Sequence, residues 1–138
     1  MNGIYRDEQS GEWFYPENTY LLSETDEFGV ILYANDLFCQ LAGYKREELL
    51  GEAHNIVRDP DMPRIAFAGL WDDIRSKGFW TGFVKNRCKN GDFYWVFATV
   101  LKKVSKDGVV TYLSLRVKPS RQDVEASQKL YAELKAQE

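Results

Sequence analysis

Hydrophobic and polar residues alternate along five segments of the chain, which is the pattern of strands with one face in a core. Short turn sequences separate the strands within each hairpin, and two of these turns carry the Asn-Gly and Asp-Gly pairs that favour tight hairpins. The predicted strands are Tyr20–Thr25, Val30–Ala34, Phe79–Cys88, Phe93–Val104 and Val109–Lys118.

Helical signals fall between the second and third strands and again at the C-terminal end. Asn35 offers N-cap chemistry and Gly43 a stop, which together predict a short helix. A second short helix is predicted at Lys45–Leu50, and a longer helix with an apolar face is predicted at Pro63–Lys77. The stretch between them, from His54 to Pro63, has two prolines and three charged residues, which predicts irregular structure. Strands interrupted by helices predict an antiparallel α+β fold.

The chain of 138 residues has room for one domain. Residues 18–120 contain the predicted strands and short helices and form the expected core domain. Residues 1–17 are predicted to form an N-terminal cap, because exposing the three successive aromatic residues Trp13, Phe14 and Tyr15 to water is costly. Residues 121–138 predict a polar C-terminal helix that links or signals.

Charge and cysteine content narrow the class of protein. The net charge of -3 offers no basic excess for binding nucleic acid. Two cysteines do not make a disulfide framework, and the sequence shows no signal peptide or apolar run of membrane-spanning length. We therefore expect a cytoplasmic protein. No Ser/His/Asp set, phosphate loop or metal-ligand spacing is visible, so we expect a protein that is not an enzyme and holds no metal.

The alternation in two strands indicates which side chains point inward. Lys85 and Arg87 need water, so Trp80, Val84 and Asn86 are predicted to face the core, and Tyr94 shares the inner face of the next strand. A buried Asn86 needs hydrogen-bond partners, either from neighbouring backbone or from a ligand. The small residues Gly82 and Ala98 on the same face either relieve packing or leave a slot for a planar group.

Two long motifs resemble those of the Aer-type PAS domains of bacterial energy and redox taxis. They are Gly51–Pro63, with the sequence GEAHNIVRDPDMP, and Lys85–Val96, with the sequence KNRCKNGDFYWV. The resemblance covers about residues 18–134 and implies a PAS fold: a five-stranded antiparallel sheet with short helices on one face. One position departs from the family, which usually has His where this chain has Asp59.

The resemblance also implies a function. It implies non-covalent FAD binding, and a redox signal passed to a HAMP and methyl-accepting-type module on the same or a separate chain. Arg58 then approaches the FAD phosphates. Asp59 adds a negative charge beside them, which weakens binding unless the side chain points away. The full set of predicted cofactor-binding residues is Asn35, His54, Arg58, Asp61, Trp71, Trp80, Asn86 and Tyr94.

Alternatives remain open at this point. Arg58 could simply pair with a neighbouring Asp on the surface, and Trp71 could be an ordinary core residue. His54 is the only histidine and so the only histidine candidate for a haem ligand. The function could be a PAS domain for haem or a small metabolite, or a ligand-free dimerisation module.

The outer face of the predicted sheet should be rich in aromatic residues, with basic residues beside them. Its predicted members are Phe83, Phe93, Trp95, Phe97 and Tyr112, flanked by Lys85, Arg87 and Arg116. Soluble proteins seldom leave such patches uncovered. We expect the N-terminal segment to pack near the sheet and a homodimer to form beside it.

Overall fold

The computed structural model describes residues 3–138; Met1 and Asn2, the first residues of the predicted cap, lie outside the described residues. Within residues 3–138, seven strands, four α-helices and one 3-10 helix follow one another. They are β1 (Tyr5–Arg6), β2 (Trp13–Phe14), β3 (Leu21–Asp26), β4 (Ile31–Ala34), α1 (Asp36–Ala42), α2 (Arg46–Leu49), a 3-10 helix (His54–Val57), α3 (Arg64–Lys77), β5 (Phe79–Arg87), β6 (Phe93–Val104), β7 (Val110–Val117) and α4 (Arg121–Ala136).

Five of the strands form one antiparallel sheet in the order β4-β3-β7-β6-β5, while β1 and β2 form a separate two-stranded hairpin. The predicted α+β fold with five strands is confirmed. The 3-10 helix lies within the segment predicted to be irregular, so that prediction was wrong for His54–Val57.

Local sequence explains where α1 begins and ends. Asn35 Oδ1 accepts hydrogen bonds from the backbone N–H groups of Phe38 and Leu22, each at 3.1 Å. The first bond caps the helix and the second ties it to β3. Gly43 ends the helix with φ at 76°, a conformation that glycine adopts at little cost.

The core lies between the inner face of the sheet and helices α1 to α3. Its fully buried side chains include Leu21, Ile31, Phe38, Leu49 and Val96. Burying an apolar side chain of this size contributes about 1.5–3 kcal/mol, so these contacts fix the helices on one face.

Part of the outer face of the sheet is covered by the chain itself, although Phe79, Leu101 and Leu115 on that face remain exposed. The Tyr15 hydroxyl donates to the backbone oxygen of Trp95 at 2.8 Å, and Trp13 Nε1 donates to Asp92 at 2.9 Å. The prediction that the N-terminal segment packs near the sheet is confirmed. Helix α4 also packs there: the Tyr131 ring lies nearly parallel to that of Trp95, with centroids 6.2 Å apart.

Two residues assigned to the outer patch face the other way. Arg116 pairs with Ala98 and Tyr112 with Lys102, a register that puts both side chains on the inner face with the lining of a cavity. Their prediction as outer-surface residues was wrong, because partners across an antiparallel ladder share a face.

Candidate ligand site

A cavity of about 320 Å³ lies between strands β5 to β7, helix α3 and the 3-10 helix. Its walls are mostly apolar, with a few polar groups placed among them, which is how small-molecule sites are built. The volume lies at the small end of the range of about 300–1,000 Å³ for such sites.

Five of the eight predicted cofactor-binding residues line this cavity, brought together from three separate elements and a loop. They are His54, Arg58, Trp71, Trp80 and Asn86. The other three, Asn35, Asp61 and Tyr94, are not among the lining residues.

Each of these three side chains has another position. Asn35 caps α1, and its Nδ2 donates to the backbone oxygen of Tyr20 at 3.1 Å. Asp61 is exposed and accepts from Lys85 Nζ at 2.7 Å. Tyr94 is fully buried in the core beside Asn86, its partner across the β5–β6 ladder.

Two buried polar atoms on the cavity wall have no hydrogen-bond partner among the described residues. They are Asn86 Nδ2 and Ser114 Oγ, on side chains that are 3% and 7% exposed. A buried polar group left without a partner costs about 1–3 kcal/mol. An Asn86 amide bonded only to neighbouring backbone therefore does not account for its Nδ2. The hydroxyl of Tyr94, its partner across the ladder, lies beside the amide and is likewise buried without a hydrogen-bond partner of good geometry.

The loop that carries Arg58 is held against the edge of the sheet. Arg58 forms a backbone bridge with Asn86, and its guanidinium lies 3.9 Å from the centroid of the Phe67 ring. Asp59 Oδ1 accepts from the backbone N–H of Asp61 at 2.8 Å and lies 3.9 Å from Lys85 Nζ. The Asp59 carboxylate is thus turned toward Lys85 and is absent from the cavity lining.

A hydrogen-bonded cluster of His54, Ser23 and Arg116 lies at one end of the cavity. Arg116 Nη2 donates to His54 Nε2 at 2.6 Å, and Nη1 donates to Ser23 Oγ at 3.0 Å. Because a guanidinium can only donate, His54 Nε2 must accept, which keeps the imidazole neutral. Burial and the charge of Arg116 hold the pKa of His54 at about 3.

The slot predicted at Gly82 is filled by the protein. A Cβ placed on Gly82 would lie 2.3 Å from Trp80 Cζ2, so the indole lies directly against this glycine. Gly82 therefore accommodates Trp80, whereas Ala98 does line the cavity. Of the two interpretations left open for Gly82, the structure supports packing relief rather than a ligand slot, because a neighbouring side chain on the same strand face occupies the space.

Several residues of the cavity wall were not predicted from the sequence, among them Phe67, Tyr112, Ser114 and Arg116. The last three alternate along β7, so the face of this strand with more polar residues is the inner one. The register between β6 and β7 is the signal that could have identified them.

Comparison with known proteins agrees with this architecture. A family model described as the PAS fold matches residues 31–116, which is more than half of the chain. The chain belongs to the PAS family. This PAS domain is 42% identical over 120 residues to the aerotaxis receptor of Escherichia coli, and the match covers 87% of the chain. It is 26% identical over 96 residues to a nitrogen fixation regulatory protein of Klebsiella pneumoniae, covering 69% of the chain.

Solved structures show the same fold. A light-oxygen-voltage domain from work with a flavin analogue superposes on this PAS domain with a TM-score of 0.70 at 23% identity, covering 81% of this chain and 86% of that one. A PAS domain from Colwellia psychrerythraea gives a TM-score of 0.66 at 20% identity, covering 74% and 87%.

The PAS domain corresponds to part of its relatives. The chain spans 24% of the length of the aerotaxis receptor and 19% of that of the nitrogen fixation regulatory protein. Among residues 3–138, no helix combines the length and the apolar character needed to cross a bilayer.

Proposed function

We propose that this PAS domain binds FAD non-covalently, with the flavin ring in the cavity, and that it is a redox sensor rather than an enzyme. The observation that carries the proposal is the pair of buried, unpartnered polar atoms, Asn86 Nδ2 and Ser114 Oγ. A planar ligand with hydrogen-bonding edges would satisfy both. The similarity to the aerotaxis receptor supports the same ligand class, through the motifs that carry the family resemblance.

Different parts of the wall would hold different parts of the ligand. Trp71 and Trp80 would pack on the ring, and the Asn86 amide would bond its polar edge. Arg58 lies over Phe67 on the loop side and is suited to bidentate contact with phosphate. Because the Asp59 carboxylate faces Lys85, the negative charge at the position where the family usually has His does not face the ligand.

The bound flavin would supply a ring that accepts and releases electrons. A chain of contacts leads from the cavity to the outer face of the sheet. Asn86 pairs with Tyr94, Trp95 follows Tyr94 on the opposite face of β6, and Tyr131 of α4 stacks on Trp95. We propose that a change in the hydrogen bonding of Asn86 reaches α4 by this route.

The partner would then be a HAMP and methyl-accepting-type module in the cytoplasm, with the domain acting as a homodimer. The Tyr131 hydroxyl also donates to the backbone oxygen of Phe83 at 2.7 Å, which holds α4 against β5. A partner module in contact with α4 would then respond to a shift of this helix. Sedimentation of the purified domain over a range of concentrations tests the homodimer.

Haem is the weaker alternative for this cavity. His54 Nε2 already accepts a hydrogen bond from Arg116, and a guanidinium 2.6 Å away opposes a metal cation at that atom. The volume of 320 Å³ also argues against a core that is filled by its own side chains. The hydrogen bond at His54 thus favours a flavin over haem, and the cavity volume favours a ligand-binding domain over a ligand-free module.

The test is the absorption spectrum of freshly purified protein, followed by titration with FAD. We expect flavin bands, and FAD released on denaturation. Asn86→Leu should reduce FAD affinity by about tenfold or more, because one hydrogen bond is lost and the site's polarity changes. Asn18→Leu, on the exposed surface, is the matched control. A colourless protein that takes up no FAD, or one with a Soret band, would refute the proposal.

A further inference from the structure

Arg116 is a buried cation on the cavity wall. Its side chain is only 5% exposed, and its two hydrogen-bond partners, Ser23 Oγ and His54 Nε2, are both neutral groups. Among residues 3–138, none of the ion pairs within 4.0 Å includes Arg116. By contrast, the buried Glu12 carboxylate is paired with Arg121 at 3.0 Å.

The protein compensates this charge only in part. Burial lowers the pKa of Arg116 to about 10, so the guanidinium is still charged at neutral pH. Its carbon Cζ lies 5.2 Å from the centroid of the Phe38 ring, and a cation over an aromatic ring gains about 1–2 kcal/mol. Removing a charge from water costs several kcal/mol. The remainder of that cost is left for a ligand to offset.

The arrangement around Arg116 is suited to an anion. The guanidinium lines the cavity together with Ser114, whose unpartnered hydroxyl lies on the same strand face two residues away. Arg58, the other arginine of the lining, belongs to the loop at a different part of the wall. Two arginines therefore line the cavity, and only Arg116 is nearly inaccessible to water, since Arg58 is partly exposed.

We infer that the Arg116 end of the cavity is an anion-accepting site, which holds the negative charge that a flavin ring acquires when it is reduced. This inference rests on the proposed flavin binding. Two electrons and one proton, taken here from added dithionite and water, convert the neutral oxidised ring to the singly charged anionic reduced ring. Arg116 therefore makes the domain bind reduced flavin more tightly than it would without this charge, and raises the midpoint potential.

The test compares Arg116→Met, which removes the charge, with Arg116→Lys, which keeps it. Dissociation constants are measured anaerobically for oxidised and for dithionite-reduced riboflavin, which has no phosphate. In the Met variant we expect the preference for the reduced form to fall by about tenfold or more, which lowers the midpoint potential of a two-electron couple by about 30 mV. The Lys variant should lose less of this preference than the Met variant, because lysine retains a cation, although its pKa falls readily on burial and it cannot make both hydrogen bonds of the guanidinium.

The stability of the ligand-free protein gives a second readout. Removing an uncompensated buried charge should leave the urea midpoint of Arg116→Met unchanged or raised. If that variant does not fold, Ser114→Asp tests the same inference, because it places a carboxylate beside Arg116 and should lower the reduced-form preference in the same way. Thr81→Asp adds the same charge at an exposed position of β5 and is the matched control.

The outcomes separate this inference from the proposed function. Flavin binding by the wild type with an unchanged preference in Arg116→Met and Ser114→Asp would overturn the inference and leave flavin binding standing. The inference would also be overturned if Arg116→Met lowered the affinity for FAD equally in both redox states and left the affinity for riboflavin unchanged. In that case Arg116 would bind the phosphates of FAD rather than the reduced ring. Absence of flavin binding by the wild type would overturn both.

Discussion

Replacing Gly82 with alanine should displace Trp80 and narrow the cavity. The new Cβ would lie 2.3 Å from Trp80 Cζ2, 2.5 Å from Cη2 and 3.2 Å from Cε2. Two of these distances are far below a carbon–carbon contact of about 3.5–4.0 Å, so the rigid indole has to move by more than 1 Å. Trp80 lines the cavity, and we therefore expect the displaced ring to reduce the space for a ligand.

The magnitude follows from two opposing effects. Overpacking beside a rigid ring costs about 1–3 kcal/mol. Alanine in a strand regains about 0.5–1 kcal/mol relative to glycine. The expected net loss in the free energy of unfolding lies between about 0 and 2.5 kcal/mol. We also expect a loss of FAD affinity of about tenfold or more, because the indole enters the ligand's space.

Gly69→Ala is the matched control, since a Cβ there meets nothing within 4 Å and Gly69 lies within α3. That change should stabilise the helix by about 0.5–1 kcal/mol and leave FAD affinity unchanged. Urea denaturation and FAD titration are measured on both variants. A Gly82→Ala protein with wild-type stability and wild-type affinity would refute the packing argument.

Three further predictions concern single side chains. Hydrogen bonds from Arg6 and other donors lower the pKa of Asp92 from 3.8 to about 2, so its stabilising contribution is present above about pH 4 and is lost as the pH falls through 2. Urea denaturation should therefore show the wild type approaching Asp92→Asn in stability toward pH 2; a constant difference would contradict this. Asn86→Asp should change flavin affinity or midpoint potential with a modest effect on folding, because an ionised carboxylate cannot donate; unchanged cofactor content and potential would make Asn86 structural only. Tyr131→Phe should lower the free energy of unfolding by about 1 kcal/mol through loss of its bond to Phe83, whereas Tyr5→Phe at an exposed position should not.

The sequence was informative where local chemistry decides the structure. Asn35 and Gly43 mark the ends of α1 because a cap and a left-handed stop are set by the residues themselves. The inner position of Asn86 followed from the need of Lys85 and Arg87 for water, which does not depend on any distant contact. These features could be predicted because each depends on neighbours in the chain.

Which residues of β7 face the core could not be predicted in that way, because the answer depends on whether the loop before this strand has two residues or three. A two-residue Asp-Gly loop would pair Lys106 with Val109 and turn Arg116 outward. The structure instead pairs Val104 with Val110 and closes a three-residue loop, in which Gly108 has φ at 80°. A shift of one residue moves every side chain of a strand to the opposite face, and the anion site therefore escaped sequence reasoning.

Asp59 illustrates how tertiary contacts change the meaning of a substitution within a family motif. In the sequence it adds a negative charge next to Arg58, where a phosphate is expected. In the structure its carboxylate accepts from the Asp61 backbone and lies 3.9 Å from Lys85, so it shapes the turn and faces a cation of β5. The side chain is 9% exposed and absent from the cavity lining, so its charge interacts with the loop and with Lys85 rather than with a ligand. Asp59 therefore does not place a negative charge next to Arg116, and the Arg116 end of the cavity stays suited to an anionic ligand.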